Sequence, residues 1–370
     1  MENQEKTPSH TKENQEKESF LEKMSALDDK FGEFINNWEK KFEENPPKAI
    51  SELQTQLMTI NSKLWDAYDL LSFNLGDRGI DRKKDKKNNE ELDELRITIQ
   101  NKMPNLISFV NGSPFCQRIT EWPEGPGDWE TINAIVDQEV MVKKNGNPVY
   151  FWEKFLVSQL PITKQHREKL KIQSKIAEEV IKNNGENAGI ISIGCGGCRD
   201  LEYIQDKLKD RKAKLYLVDH NNNALRDANN RLNRIDDNNK SLINKNVIEF
   251  IRGLDKNDDQ VDWKNVKMIY AGGLFDYLDD KTINFILDKI KNKVQNFRGE
   301  NDDQTVKILF TNIRDSNPFQ PFMEFILNWR LIGRDKKRME GILNSLEKNE
   351  SDGKLYTEPT GLTWIAEISI

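Results

Sequence analysis

The chain is poor in the side chains that most often bind metals or carry redox chemistry: its 370 residues include three cysteines and three histidines. The cysteines are Cys116, Cys195 and Cys198, and this small odd number favours a reducing, cytoplasmic compartment over a disulfide framework. A zinc site would need a second pair of ligands, and no histidine is spaced as one. We therefore predict no metal.

Long apolar runs and an excess of positive charge are also missing. No window approaches the roughly 18 apolar residues of a spanning helix, and no apolar signal segment follows the amino terminus. The net charge is −6, whereas a general nucleic-acid binder shows a basic face. The basic run 82–87 is short and mixed with an acidic residue, so we interpret it as a solvated loop. Neither a membrane span nor a nucleic-acid partner is expected.

The chain divides into four stretches. Residues 1–18 are almost entirely polar and are predicted to form a disordered tail. Residues 19–110 carry apolar residues at helical spacing and form a helical module. Residues 111–185 combine a segment rich in proline, glycine and aromatics with further helices, and we interpret them as a linker and helical lid. Residues 186–370 alternate strands and helices.

This alternation predicts an α/β fold, a doubly wound, mostly parallel Rossmann-like sheet behind the N-terminal helical module. The predicted strands are 190–194, 214–219, 246–251, 266–271, 305–311 and a last strand from 362 to the end of the chain. The predicted helices between them are 199–208, 222–234, 281–296, 319–332 and 336–347.

A glycine turn follows the first of these strands. Gly194 and Gly196 come directly after Ile193, and Asp219 ends the next strand, where its carboxylate can accept both ribose hydroxyls. A dinucleotide site would place a third glycine where Arg199 stands, which disfavours NAD. A nucleoside cofactor with no pyrophosphate, such as S-adenosylmethionine, does not need that glycine. Cys195 and Cys198 could form a redox dithiol, but we favour small residues of a cofactor loop.

Two further segments follow strands and therefore lie at the same edge of the sheet. Ala271 and Gly272 precede a loop with Asp276 and Tyr277, and aromatic rings there could contact a sulfonium. Residues 312–314 follow the next strand. Met323, Leu327, Trp329 and Leu331 could line an acyl site, although helical spacing favours the core.

These segments resemble the class I S-adenosylmethionine-dependent methyltransferases. More narrowly, 192–200, 273–278 and 323–334 are similar to motifs of the bacterial 3-hydroxypalmitic acid methyl ester biosynthesis methyltransferase family, and pieces of 114–130 are similar to a fourth. The resemblance covers roughly residues 110–370. Gly197-Cys198 replaces Pro-Gly, Trp122 to Pro126 differ from the family's Lys-Pro-Arg-Gly-Tyr, and Gly333 replaces Tyr. These departures bear on the acceptor more than on the cofactor.

The resemblance implies a set of site residues. S-adenosylmethionine would be bound by Gly194, Cys195, Gly196, Asp219, His220, Arg252, Gly253, Ala271 and Gly272. The acceptor would face Tyr277, Asn312 and Arg314, and an arginine there could clamp a carboxylate.

The expected activity is methyl transfer to a small molecule, with the carboxylate oxygen of a hydroxy fatty acid as one acceptor. A carboxylate is ionised at neutral pH and needs no base, which fits the lack of a hydrolase-like catalytic set. Two alternatives stay open: a nitrogen, sulfur or phenol acceptor in a specialised metabolite, and a non-catalytic binding or regulatory protein that uses the helical module. A homodimer is also compatible with the sequence.

Overall fold

The computed structural model describes residues 8–80, 82–121, 127–254, 260–298, 305–346 and 353–370. Its centre is a seven-stranded sheet. The strands are β1 (Gly189–Ile193), β2 (Lys214–Asp219), β3 (Lys240–Asn244), β4 (Val266–Ala271), β5 (Lys307–Ile313), β6 (Gly353–Thr357) and β7 (Thr363–Ser369).

The strand order is β3-β2-β1-β4-β5-β7-β6. The first five strands of this order are parallel, and β7 runs antiparallel to β5 and β6. It is the 3-2-1-4-5-6 order of a dinucleotide-binding fold with one antiparallel strand inserted. The predicted doubly wound, mostly parallel Rossmann-like sheet is therefore confirmed.

The central strands are buried on both faces because they are nearly continuous apolar runs. Every residue of β1 and β4 is buried. Ile191 and Ile193 pack into one apolar cluster and Ile190 into another on the opposite face, as the two-residue period of a strand requires.

The helices are α1 (Pro8–Asn36), α2 (Trp38–Glu44), α3 (Pro46–Leu64), α4 (Arg82–Asn101), α5 (Pro104–Asn111), α6 (Pro114–Glu121), α7 (Trp129–Asp137), α8 (Pro148–Ser158), α9 (Pro161–Asn184), α10 (Arg199–Glu202), α11 (Gln205–Asp210), α12 (Asn222–Arg231), α13 (Val247–Gly253), α14 (Asp280–Arg298) and α15 (Lys336–Asn344). Many begin at a proline, which lacks the N–H that a first helical position leaves unpaired. None of these described helices has the length and apolarity needed to cross a bilayer.

One predicted strand is wrong. Residues 247–251 belong to α13, with Asn246 as its N-cap, and the third strand lies earlier, at β3. The side chain of Asn246 accepts from the backbone N–H of Glu249 at 3.0 Å, and the Glu249 carboxylate accepts in return from the N–H of Asn246 at 3.2 Å. This capping box starts a helix and outweighs the β-branched residues that follow it.

Other elements also differ from the sequence prediction. The basic run 82–87, interpreted as a loop, lies in α4, and the predicted helix 199–208 is divided into α10 and α11. Residues 8–18, expected in a disordered tail, form the first turns of α1. The expected helix 319–332 is a short π-helix (Phe322–Ile326) followed by irregular chain, and Asn328 with φ +52° helps to end the helical path. The edge strand β6 was not predicted. The expected linker at 122–126 lies outside the described residues.

The N-terminal helices share one apolar core with the segment between β5 and α15. Phe31, Leu53 and Leu95 belong to the same buried cluster as Phe325 and Trp329. The helical module therefore packs on the carboxyl-end side of the sheet, where the 313–331 segment lies.

A buried polar group reinforces this packing. The Glu324 carboxylate accepts from the Tyr68 hydroxyl at 2.7 Å and from the guanidinium of Arg78. Glu324 is completely buried, so its charge needs both partners.

Candidate functional site

A cleft of about 380 Å³ opens at the carboxyl ends of β1, β2 and β4. Its volume is within the usual range for small-molecule sites. It lies where the crossovers from β1 and β4 run in opposite directions, which is where open α/β sheets bind ligands. Its lining includes Gly127, Asp128, Trp129, His166, Lys169, Gln173, Ser192, Gly194, Cys195, Gly196, Asp200, Asp219, His220, Gly272, Gly273, Asp276, Tyr277 and Trp329.

The floor of the cleft is the glycine turn after β1. Gly194 and Gly196 have φ of +64° and +52°, angles that glycine adopts without strain. The backbone N–H groups of Gly194 and Cys195 both donate to the carbonyl of Val218, at 2.8 and 3.1 Å. The turn is thus tied to the end of β2.

The Asp219 carboxylate is held in place by two backbone N–H groups. Gly196 donates to Oδ2 and Asn221 donates to Oδ1, each at 2.9 Å. The side chain is largely buried but still lines the cleft. A carboxylate fixed in this way keeps lone pairs free to accept from hydroxyl groups of a ligand.

The turn is enclosed from outside by α7 and α12. A Cβ on Gly197 would lie 2.6 Å from Asp227 Oδ2 and 3.0 Å from Asn133 Oδ1. Asn133 donates to the same Asp227 oxygen at 2.9 Å. Arg199, at the place of the third glycine, pairs with Asp137 at the end of α7. A side chain at 197 would have to displace the hydrogen-bonded ends of Asp227 and Asn133.

Aromatic side chains form one wall of the cleft. The Trp329 indole donates to the Tyr277 hydroxyl at 3.0 Å, and burial raises the pKa of Tyr277. Trp129 packs close to Gly196. Gly127 has φ +79°, and a Cβ there would clash with the Tyr277 hydroxyl. The hydroxyl stays protonated at neutral pH and is held at a defined point in the cleft.

Most of the predicted cofactor residues meet at this cleft. Gly194, Cys195, Gly196, Asp219, His220 and Gly272 line it, as does Tyr277 from the predicted acceptor set. Ala271 is the buried last residue of β4, directly before Gly272.

Arg252 and Gly253 are not brought to the cleft. Both lie on α13, where Arg252 is exposed and Gly253 borders a separate small pocket with Trp263. They were expected to follow a strand, and the replacement of that strand by a capped helix moves them away from the sheet edge.

Asn312 and Arg314 are engaged elsewhere. The Asn312 amide donates to the carbonyls of Ile313 and Ile332 at 2.8 Å, and its oxygen accepts from Arg334. Arg314 donates to the carbonyl of Gly361 at 2.9 Å, and its guanidinium lies 4.7 Å from the Trp364 ring centre. Neither side chain lines the cleft.

Sequence reasoning missed the α9 side chains in the cleft. His166, Lys169 and Gln173 lie on the buried face of a helix. Polar residues at positions i, i+3 and i+7 of an otherwise apolar face were the available signal.

The two cysteines of the turn are both protonated at neutral pH. A hydrogen bond to Cys195 and burial raise the pKa of Cys198, and the pKa of Cys195 is also raised. Neither thiol is therefore activated as a nucleophile. Within the described ranges, no group of three or more His, Cys, Asp or Glu side chains is placed to hold a metal ion.

Among the comparisons with known proteins, only the one with solved structures finds matches. No protein-family model and no curated protein matches the chain. A possible exported protein from Bordetella parapertussis matches at 11% identity, over 72% of this chain and 87% of that one, with a TM-score of 0.52. A candidate methyltransferase from Thermobifida fusca YX has 14% identity over 67% and 98%, at 0.48.

A third solved structure is magnesium protoporphyrin IX methyltransferase from Synechocystis PCC 6803 with bound SAH. It has 10% identity over 56% of this chain and 86% of that one, with a TM-score of 0.39. At these identities a structural likeness establishes architecture only. The first match shares the overall architecture of this chain, and the site must be judged from its own residues.

Proposed function

We propose that the protein transfers a methyl group from S-adenosylmethionine to a small-molecule acceptor. The observation that carries this proposal is the Asp219 carboxylate, tethered by the N–H groups of Gly196 and Asn221 at the edge of a cleft. An acid at the end of the second strand is the usual partner of ribose hydroxyls in this type of fold.

The residues of the cleft fit this cofactor. Gly194 and Gly196 form a turn that lines the cleft, and Arg199, at the place of a third glycine, pairs with Asp137 of α7. The rings of Tyr277 and Trp329 offer faces that attract a cation. When bound, S-adenosylmethionine supplies a methyl group already activated by a positively charged sulfur.

The protein's own contribution is then alignment and exclusion of water. The Trp329 hydrogen bond orients the Tyr277 hydroxyl, which can donate to an acceptor. The α7 helix covers the turn, held by Arg199–Asp137 and Asn133–Asp227 contacts. No base is required for an acceptor that is already ionised.

A second void of about 30 Å³ lies beside the cleft. His166 and Trp329 border both spaces, and the rest of the lining is mostly apolar, with Met58 from α3 and Trp152 from α8. This void has room for about one water molecule, so an acyl chain would enter it only after the lining side chains move apart. The acceptor class rests on the resemblance: we propose a hydroxy fatty acid, methylated on a carboxylate oxygen.

The cofactor assignment is tested by calorimetry with S-adenosylhomocysteine. The wild type should bind, and Asp219→Ala should bind about 100-fold more weakly because hydrogen bonds to a charged group are lost. Asp210→Ala, an exposed carboxylate at the end of α11, is the matched control and should bind like the wild type. Absence of binding by the wild type, or equal binding by Asp219→Ala, would refute the cofactor assignment.

The acceptor is tested separately with radiolabelled cofactor. The panel should contain 3-hydroxy fatty acids of several lengths together with amines, thiols and phenols. Base-labile label in the fatty acids supports an ester product. Label only in amines, thiols or phenols would overturn the carboxylate acceptor and leave the cofactor assignment intact.

A further inference from the structure

Helix α9 points a row of polar side chains into the cleft. His166, Lys169 and Gln173 are each at least nine-tenths buried, and all three line the cleft. Buried polar groups are normally hydrogen-bonded. Several of these buried polar atoms lack a hydrogen-bond partner among the described residues. A ligand in the cleft could supply the missing partners.

Gln173 has no partner for either end of its amide. Both Nε2 and Oε1 are buried without a hydrogen bond within the part of the chain that the structure describes. The amide lies over the backbone at the end of β4: a Cβ on Gly272 would be 2.7 Å from Nε2 and 3.0 Å from Oε1. The absence of a side chain at Gly272 therefore makes room for the amide beside the cleft, which Gln173 lines and where a ligand group can complete its hydrogen bonds.

Lys169 is a buried cation next to this amide. Its Nζ would lie 3.0 Å from a Cβ on Gly273, and burial lowers its pKa. Among the described residues it has no hydrogen bond within 3.5 Å and no carboxylate oxygen within 4.0 Å. An ammonium held out of water with no carboxylate in contact is costly, so an anion in the cleft would stabilise it.

The carboxylates that act on Lys169 at longer range are already engaged by backbone N–H groups. Asp276 accepts from Ile313 at 2.6 Å, and Asp200 accepts from Leu201 at 2.9 Å. Glu358 accepts from four donors of its own turn. None of these carboxylates completes the coordination of the lysine.

We propose that Lys169 and Gln173 bind a ligand carboxylate, the lysine as counter-ion and the amide N–H as donor. The proposal rests on the proposed function. It identifies a carboxylate as the ligand group that this part of the cleft binds. Two ligands could supply it: the amino-acid end of the cofactor, or a carboxylate-bearing acceptor.

Two substitutions on α9 test the site by charge. Lys169→Met removes the cation with little change in volume, and Gln173→Glu adds a charge that repels a carboxylate. Lys175→Met, an exposed lysine on the same helix, is the matched control. Each variant is titrated with S-adenosylhomocysteine and with 5′-methylthioadenosine, which keeps the nucleoside and sulfur but lacks the amino-acid end. The titrations are repeated with 3-hydroxypalmitate in the presence of S-adenosylhomocysteine.

If the cofactor supplies the carboxylate, both variants lose about 30-fold or more in affinity for S-adenosylhomocysteine. Their affinity for 5′-methylthioadenosine stays within about twofold of wild type, which also shows that the cleft is folded. If the acceptor supplies it, affinity for S-adenosylhomocysteine is kept and that for 3-hydroxypalmitate falls by a similar factor.

Other outcomes overturn the assignment. Equal losses for S-adenosylhomocysteine and 5′-methylthioadenosine would mean general damage to the cleft without carboxylate recognition. Wild-type affinity of both variants for all three ligands would remove any role for the pair. If the wild type binds neither nucleoside, the proposed function itself fails and the carboxylate site fails with it.

Discussion

The Arg334 guanidinium donates to the side-chain oxygen of Asn312, and the two residues lie on neighbouring stretches of chain that meet at the edge of the sheet. Arg334 has no exposed surface. It also donates to the carbonyls of Phe275 and Leu278 and pairs with Asp280. One side chain thus ties the end of β5 to the loop that carries Tyr277.

Replacement of this arginine should destabilise the protein strongly. Arg334→Met leaves the Asn312 oxygen and two carbonyls without a donor, and we expect the free energy of unfolding to fall by about 3–5 kcal/mol. Guanidinium-induced unfolding measures it. Arg338→Met, which removes a more exposed partner of Asp280, should cost roughly 1 kcal/mol. Equal losses for the two variants would contradict the central role of Arg334.

A methyl group at 197 should destabilise the glycine turn, because the hydrogen-bonded ends of Asp227 and Asn133 must move to admit it. Gly197→Ala places a Cβ against Asp227 and Asn133, so we expect a loss of about 1–3 kcal/mol together with weaker S-adenosylhomocysteine binding. Gly341→Ala is a matched control, because nothing lies within 4 Å of its Cβ in α15. That variant should gain about 0.5–1 kcal/mol from helix propensity. Thermal unfolding and calorimetry of both proteins provide the comparison.

Stability should depend on pH through His166. Burial, with Lys169 and Arg167 nearby, lowers the pKa of His166 well below its usual value near 6.5. The unfolded chain therefore takes up a proton below about pH 6.5 that the folded protein refuses, and stability falls as the pH falls. Between pH 7.5 and 5.5 this single group should cost about 1.4 kcal/mol.

The measurement is urea-induced unfolding at the two pH values. His166→Gln should lose this part of the pH dependence, while His220→Gln, at an exposed position of the cleft mouth, should keep it. An unchanged difference in His166→Gln would show that another group accounts for the acid sensitivity.

The contact between the helical module and the C-terminal part should also be measurable. Arg78→Met leaves the fully buried Glu324 carboxylate without its cation, and we expect a loss of about 3–5 kcal/mol. Arg234→Met removes an exposed pair with Asp206 and should cost less than about 1 kcal/mol. A small loss in Arg78→Met, measured by chemical unfolding, would argue against this buried pair as an anchor of the module.

The sequence by itself determined the central sheet and the nucleotide-type turn. The bounds of β2 and β4 were predicted as they are observed, and the turn at Gly194 and the acid at Asp219 meet as expected. These features depend on short apolar runs and on glycine, whose signals are local. The capping box at Asn246 is a local signal too, and it starts a helix despite the β-branched residues that follow.

Tertiary structure alone decided which polar side chains reach the cleft. Asn312 lies near the end of β5, at the carboxyl edge of the sheet, yet Arg334 from another part of the chain binds its side chain. Lys169 and Gln173 interrupt the apolar face of α9, and this local signal marks them as unusual without saying what they contact. Their place beside the cleft is set when α9 packs against the end of β4, through contacts between residues far apart in sequence.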